Sequence, residues 1–187
     1  RRFISENEVL EVVLKDHKFK NIEKFIEEIF WRTYWKGWLE THPWIYGEYE
    51  AYDEDQSIPK KTGIKCFEHW KEELLDTGYL HNHSRMWFAS IWVFTLGYSW
   101  QSGANFFKNN LLDYCPASNT LGWRWVAGLQ TIGKPYIASA DNIKFFTNDR
   151  FYPQNELKEN HILNNQNFTN GNAKKFNRSD ENVLKKH

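Results

Sequence analysis

A chain of 187 residues is long enough for one domain with a substantial core. Its 24 basic and 24 acidic residues cancel, which excludes a strongly basic nucleic-acid binder by bulk charge and leaves only a local basic face open. Aromatic residues reach 18%, with 10 Trp, and that excess calls for a core, a stacking platform or a cofactor pocket.

Ser5 with Glu8 three residues on is a capping box, predicting a first helix to about Lys15. Residues 21–41 follow as a second helix. Ile22, Phe25, Ile26, Ile29 and Phe30 recur at helical spacing, and Trp31, Trp35 and Trp38 form another stripe. One buried face cannot hold so many large side chains, which predicts packing on two sides. His42-Pro43 ends this helix. Residues 44–62 read as a loop, with turn formers, Pro59 and an acidic-then-basic run. A third helix is expected over 64–76, with Ile64, Phe67, Trp70 and Leu74 on one face and Gly78 as its stop. A fourth, over 82–96, is nearly apolar and so predicted to be central. A fifth covers 102–111 and a sixth 119–129. No sustained alternation of period two appears, so the expected class is all-α, an irregular helical bundle. After Ala138 an aromatic-rich irregular strap is expected. The domain is placed at 1–153 and a polar, flexible tail at 154–187.

Cys66 and Cys115 make no metal or redox motif and read as free thiols of a reducing compartment. The start RRFISENEVLEVV has no apolar signal segment, and the longest apolar run, from Met86, is too short for a bilayer. No membrane insertion is expected, and a cytoplasmic location is (organelle or nucleus in a eukaryote). Without a secretion signal, the Asn-x-Ser/Thr matches at Asn82, Asn167 and Asn177 carry little weight. His81 and His83 lie two apart, so on a helix they face different sides, and no metal site is expected.

Arg85 sits in a very apolar stretch, where a buried guanidinium needs a carboxylate; Asp113 is the nearest candidate. Trp123 and Trp125 lie about 200° apart on a helix, so one faces the interior and the other a cavity or solvent. On these residues alone, a structural ion pair stands about equal to a functional one, and for the two Trp residues core packing with an interfacial aromatic outweighs a functional site.

TGYLHNHSRMWFAS (77–90), WQSGANFF (100–107) and LLDYCPASNTLGWRW (111–125) occur in that order. They resemble the T-G-W-x-H-N-R-x-R-M, W-R-x-G-x-x-(Y/F)-F and L-x-D-(G/A)-D-x-A-x-N … W-x-W motifs of the DNA photolyase/cryptochrome family. FIEEIFWRTYW (25–35) is similar to its E-L-x-W-R-E-F, and Lys61-Thr62-Gly63 fits as well. The resemblance covers roughly residues 5–153 and implies the all-α FAD-binding domain. It implies that Arg85 and Asp113 pair beside the flavin ring and that Asn119 lies at flavin N5. Arg32, Asn82, Met86 and Cys115 would line the cofactor pocket. Trp123 would be the flavin-proximal electron donor and Trp100 the next. Glu28, Trp31, Asn82, Met86 and Trp125 would hold a lesion, with Glu28 also acting in catalysis. Stacking on Trp suits a flipped-out dinucleotide.

Cys115 stands where the family usually has a second Asp, His83 where it has an Arg, and Lys65 where it has a Pro. The given sequence holds neither the family's antenna-binding α/β domain nor a T-S-x-L-S-P run, the family's FAD-phosphate loop. The expectation is a C-terminal part of a longer protein or a reduced relative, with another chain supplying the missing part. Damaged DNA is the expected partner, FAD the expected cofactor, and light-driven repair of cyclobutane pyrimidine dimers the expected activity. The alternatives are a cryptochrome-like light-responsive protein without repair, and a scaffold subunit that has lost flavin.

Overall fold

The computed structural model of the protein describes residues 4–52 and 61–158. Among the described residues the fold is all-α, with no strand. Helix α1 (Glu6–Asp16) opens on the expected capping box. The Ser5 hydroxyl accepts from the Glu8 N–H at 3.2 Å, and the Glu8 carboxylate accepts from the Ser5 N–H at 2.7 Å. It packs on α2 and buries no residue of its own.

Helix α2 (Phe19–Thr41) buries only Ile26. Elements lie against α2 on more than one side, as expected, but they bury little of it. Phe30, Trp31 and Tyr34 stay about half exposed, because α7 (Pro116–Val126) with the short α1 and α3 (Pro43–Glu50) leaves that part of α2 uncovered. The surplus rings stack on each other instead, Trp31 on Trp35 at 5.7 Å and Tyr34 on Trp35 at 5.6 Å. The loop expected over 44–62 is corrected. Residues Pro43–Glu50 form α3, which buries Ile45 and Tyr49 four residues apart. Pro43 ends one helix and starts the next, since the first helical position needs no N–H. The remainder of that loop, 53–60, lies outside the described residues.

Helix α4 (Lys65–Thr77) buries Cys66, Phe67, Trp70 and Leu74 and stops at Gly78, as predicted. The expected fourth helix is α5 (Asn82–Ser90) continued by a π-helical turn, Ile91–Thr95, in which the Leu96 N–H reaches back to the Ile91 carbonyl at 2.9 Å. Every residue from Trp87 to Phe94 is buried. Helix α6 (Trp100–Asn110) begins two residues before the predicted start because Ser99 caps it, its hydroxyl accepting from the Ser102 N–H at 3.2 Å. Helix α7 (Pro116–Val126) begins at a proline, three residues early. The strap predicted as irregular contains α8 (Ala140–Phe146), capped by Ser139 and anchored by buried Ala140 and Ile143.

The described residues run past the predicted boundary at 153. Leu157 packs on the core, and the Lys158 N–H donates to Thr95 Oγ1 at 3.3 Å. The rest of the expected tail, 159–187, lies outside the described residues. The core is a continuous aromatic stack: Phe67 on Phe88 at 4.3 Å, Phe88 on Trp92 and Trp92 on Phe106 at 5.8 Å each. Offset stacking of this kind adds to the burial of large rings. Helix α7 packs against α2, α5 and α6 and is the hub around which the expected site residues gather. Among the described residues no helix is long and apolar enough to cross a membrane.

Candidate functional site

The first turn of α5 and the loop entering α7 meet through an ion pair. Arg85 Nη2 donates to both Asp113 oxygens, at 2.9 and 3.1 Å, and Arg85 Nε donates to the Leu80 carbonyl at 2.8 Å. The guanidinium also lies 5.4 Å from the Tyr79 ring centroid. The two side chains keep 24% and 42% of their surface exposed, so the pair is not the buried one that the apolar helix suggested. Arg85 belongs to the opening turn of α5, at the rim, and the buried stretch begins at Trp87. Asn82 and Met86, one turn apart on α5, are joined by an amide-to-sulfur contact of 3.9 Å.

Cys115 is the N-cap of α7. Burial pushes its thiol up, but the N–H and hydroxyl of Ser118, the N–H of Ala117 and the charge of Lys36 outweigh that and hold it below the ordinary range. Cys66 is the opposite case, pushed up to about 12 by burial. Since the thiolate is the reactive form, iodoacetamide should label Cys115 selectively in the folded protein. Its rate midpoint should fall below the ~8.5 of a free thiol. Peptide mass spectrometry of the alkylated protein reads this, and equal labelling of both cysteines would contradict it.

Asn119 is buried, and its amide donates to the Ala104 carbonyl at 2.9 Å, tying α7 to α6. Trp123, 2% exposed, lies edge-to-face against Phe107 at 5.1 Å and Trp92 at 6.2 Å. Its indole Nε1 is buried without a hydrogen-bond partner. Trp125 faces elsewhere, as helical geometry requires, half-buried and stacked on Tyr136 at 5.5 Å. Trp100, at the start of α6, stacks on Tyr49 at 5.8 Å, with the Arg124 guanidinium 5.7 Å from its ring. On α2, Glu28 and Arg32 line one open cavity of about 280 Å³ between α1 and α2, while Trp31 stands exposed beside it in the ring cluster. The structure thus unites Arg85 with Asp113, Asn82 with Met86, and Glu28 with Arg32. Trp92, the tryptophan against Trp123, carried no signal beyond membership of an apolar run.

The FAD binding domain of DNA photolyase matches residues 25–170. The chain belongs to this family. Its photolyase-type relatives include the deoxyribodipyrimidine photo-lyase of Escherichia coli, 30% identical over 125 residues that make up 60% of this chain and 26% of the relative. The enzyme of the same name from Agrobacterium fabrum is 30% identical over 129 residues, 62% of this chain and 27% of the relative. That of Alkalihalophilus pseudofirmus is 29% identical over 133 residues, 61% and 26%. The chain therefore spans about a quarter of the length of the curated relatives it matches. No solved structure matches it closely enough to count as a relative.

The donor set suits the ring portion of a flavin. The guanidinium and carboxylate of Arg85 and Asp113 pair at an accessible rim, with Asn82 on the same turn of α5, groups suited to the carbonyl and N–H edge of an isoalloxazine. The guanidinium would also offset negative charge on a reduced ring held there. The photolyase-family phosphate loop has no match in this sequence.

Proposed function

We propose that this photolyase-family domain holds the flavin ring of a light-driven enzyme that repairs cyclobutane pyrimidine dimers in DNA. The observation that carries the reading is the rim-exposed Arg85–Asp113 pair beside Asn82 and Met86, with the buried indole of Trp123 on the adjoining α7. When bound, the reduced flavin supplies one electron to the lesion under light, and the electron returns after the ring splits. Arg85 and Asp113 orient the flavin's polar edge and keep its negative charge compensated. Asn119 braces the α6–α7 junction through Ala104. Trp31 and Trp125 offer faces for stacking an extruded dinucleotide, and Glu28 accepts hydrogen bonds from pyrimidine edges. The FAD phosphates are held by polypeptide beyond this sequence, in the same protein or a second chain.

The test is visible absorbance of the purified protein with and without added FAD, followed by illumination with dimer-containing DNA. The expected result is a bound-flavin spectrum and a light-dependent fall in dimer content. No flavin spectrum under any condition would sink the reading and leave a scaffold role. Bound flavin with unchanged dimers would leave a cryptochrome-like light response without repair.

A further inference from the structure

Arg124, in the last turn of α7, is a partly buried cation with no anion among the described residues. Its Nε is enclosed by protein and has no hydrogen-bond partner. The Nη nitrogens make no hydrogen bond to a described residue either, and they are not enclosed. Glu48, exposed on α3, is near enough to be felt but forms no ion pair with it. Burial pushes the guanidinium down from its ordinary range, and the charge of Glu48 offsets only part of that. The ring of buried Trp100, 5.7 Å from the guanidinium carbon, helps to fix where the group lies.

A cation in the last turn of a helix complements the helix dipole. That role does not account for the enclosed Nε, because the end of α7 is already satisfied by backbone. The Arg124 carbonyl accepts from the Leu129 and Gln130 N–H groups at 2.8 and 3.2 Å, and the Trp123 and Trp125 carbonyls accept from Ala127 and Gly128 at 3.0 Å each. Gln130 is folded back onto the same turn by its own bond, and its side-chain Oε1 is enclosed without a donor.

One enclosed donor and one enclosed acceptor thus belong to residues joined through the backbone, and no described residue meets either. Enclosed polar atoms are almost always bonded, and a desolvated charge is costlier to leave alone than a neutral group. A ligand that answers both atoms accepts from a guanidinium, donates to an amide oxygen and carries negative charge. Carboxylate and sulfate only accept. Water accepts and donates but brings no charge. Hydrogen phosphate meets all three requirements, since its oxygens match the guanidinium fork and it keeps one O–H.

We propose that the Arg124–Gln130 corner binds the hydrogen phosphate ion, with the guanidinium donating to phosphate oxygens and the phosphate O–H donating to Gln130 Oε1. The site is separate from the Arg85–Asp113 rim and stands independently of the flavin reading.

Thermal unfolding of the purified protein tests it, near pH ~7.5, above the second ionisation of a phosphate monoester. Sodium phosphate, sodium sulfate or a nucleoside monophosphate is added, with ionic strength held by sodium chloride. Phosphate should raise the midpoint by roughly 3–6 °C for each tenfold increase beyond half saturation. Sulfate and the monoester, which present no O–H at this pH, should raise it less. Arg124→Gln should remove the phosphate response yet move the phosphate-free midpoint little, since the guanidinium has no hydrogen bond to lose. Gln130→Leu should bring the phosphate response down to the sulfate level, and it serves if Arg124→Gln fails to fold. Glu48→Gln should lower the phosphate needed for half saturation, because a nearby negative charge is gone. Equal responses of the wild type to phosphate and sulfate would be a general salt effect and overturn the site. An unchanged phosphate response in Arg124→Gln overturns it as well. A response seen only in Glu48→Gln makes Glu48 the true partner of Arg124, and no response to any anion leaves water to fill the corner; each of these also overturns the proposal.

Discussion

Gly103→Ala should lower stability by about 1–3 kcal/mol, the range of overpacking a dense core. A methyl group at Gly103 would run into the six-membered ring of Trp123, touching Cη2 and Cζ3 and lying 3.0 Å from Cζ2. The indole cannot step aside, because Phe107 and Trp92, both buried, hold it from two directions. At the ~2–4 °C per kcal/mol of a domain this size, the midpoint should fall by several degrees. Near-ultraviolet circular dichroism of the folded variant should change as well, because the ring must tilt. Gly37 is the matched control. It lies inside α2 with nothing within 4 Å of an added methyl group, so Gly37→Ala should stabilise by roughly 0.5–1 kcal/mol. A Gly103→Ala protein as stable as wild type would show that α6 and α7 do not meet as closely as the structure has them.

That close contact belongs to the part of the fold that sequence patterns do not reveal. Local signals were readable: the Ser5–Glu8 box, the Leu74 face of α4 and the Gly78 stop each follow from chemistry within one turn. The apolar run from Met86 was rightly predicted as central. Its division into α5 and a π-turn was not, since one extra residue in a turn leaves hydrophobic periodicity almost unchanged. Helix α3 was hidden because Pro43 signals a stop as readily as a start. The surplus of rings on α2 was correctly seen and wrongly placed. Hydrophobicity says that a side chain gains from burial, but not whether this chain contains a partner surface to bury it. Of the site, the pairing of Arg85 with Asp113 was legible because a guanidinium near an apolar run calls for a carboxylate. The contact of Trp92 with Trp123 was not, since a run of apolar residues does not say which of its rings meet.

The Arg85–Asp113 pair allows the sharpest separation of structural from functional roles. Arg85→Ala should cost about 1–3 kcal/mol, because it leaves the carbonyl of fully buried Leu80 without its donor as well as breaking the ion pair. Asp113→Ala should cost less, roughly 0.2–1 kcal/mol, since the carboxylate is 42% exposed and water can solvate what remains. The double variant should cost about as much as Arg85→Ala alone, so that a thermodynamic cycle returns a coupling close to the Asp113→Ala value. Denaturant unfolding measures all three. Flavin affinity should follow a different order. If the two side chains orient the ring's polar edge, Asp113→Ala should weaken FAD binding at least as much as Arg85→Ala, despite its smaller effect on folding. A carboxylate lost from a ring-facing hydrogen bond costs roughly 1.5–3 kcal/mol, a tenfold change or more in affinity. An Asp113→Ala protein that unfolds nearly as wild type yet binds flavin far more weakly would place the carboxylate at the cofactor. Equal flavin affinity in wild type and Asp113→Ala would reduce the pair to a brace between α5 and the entry to α7.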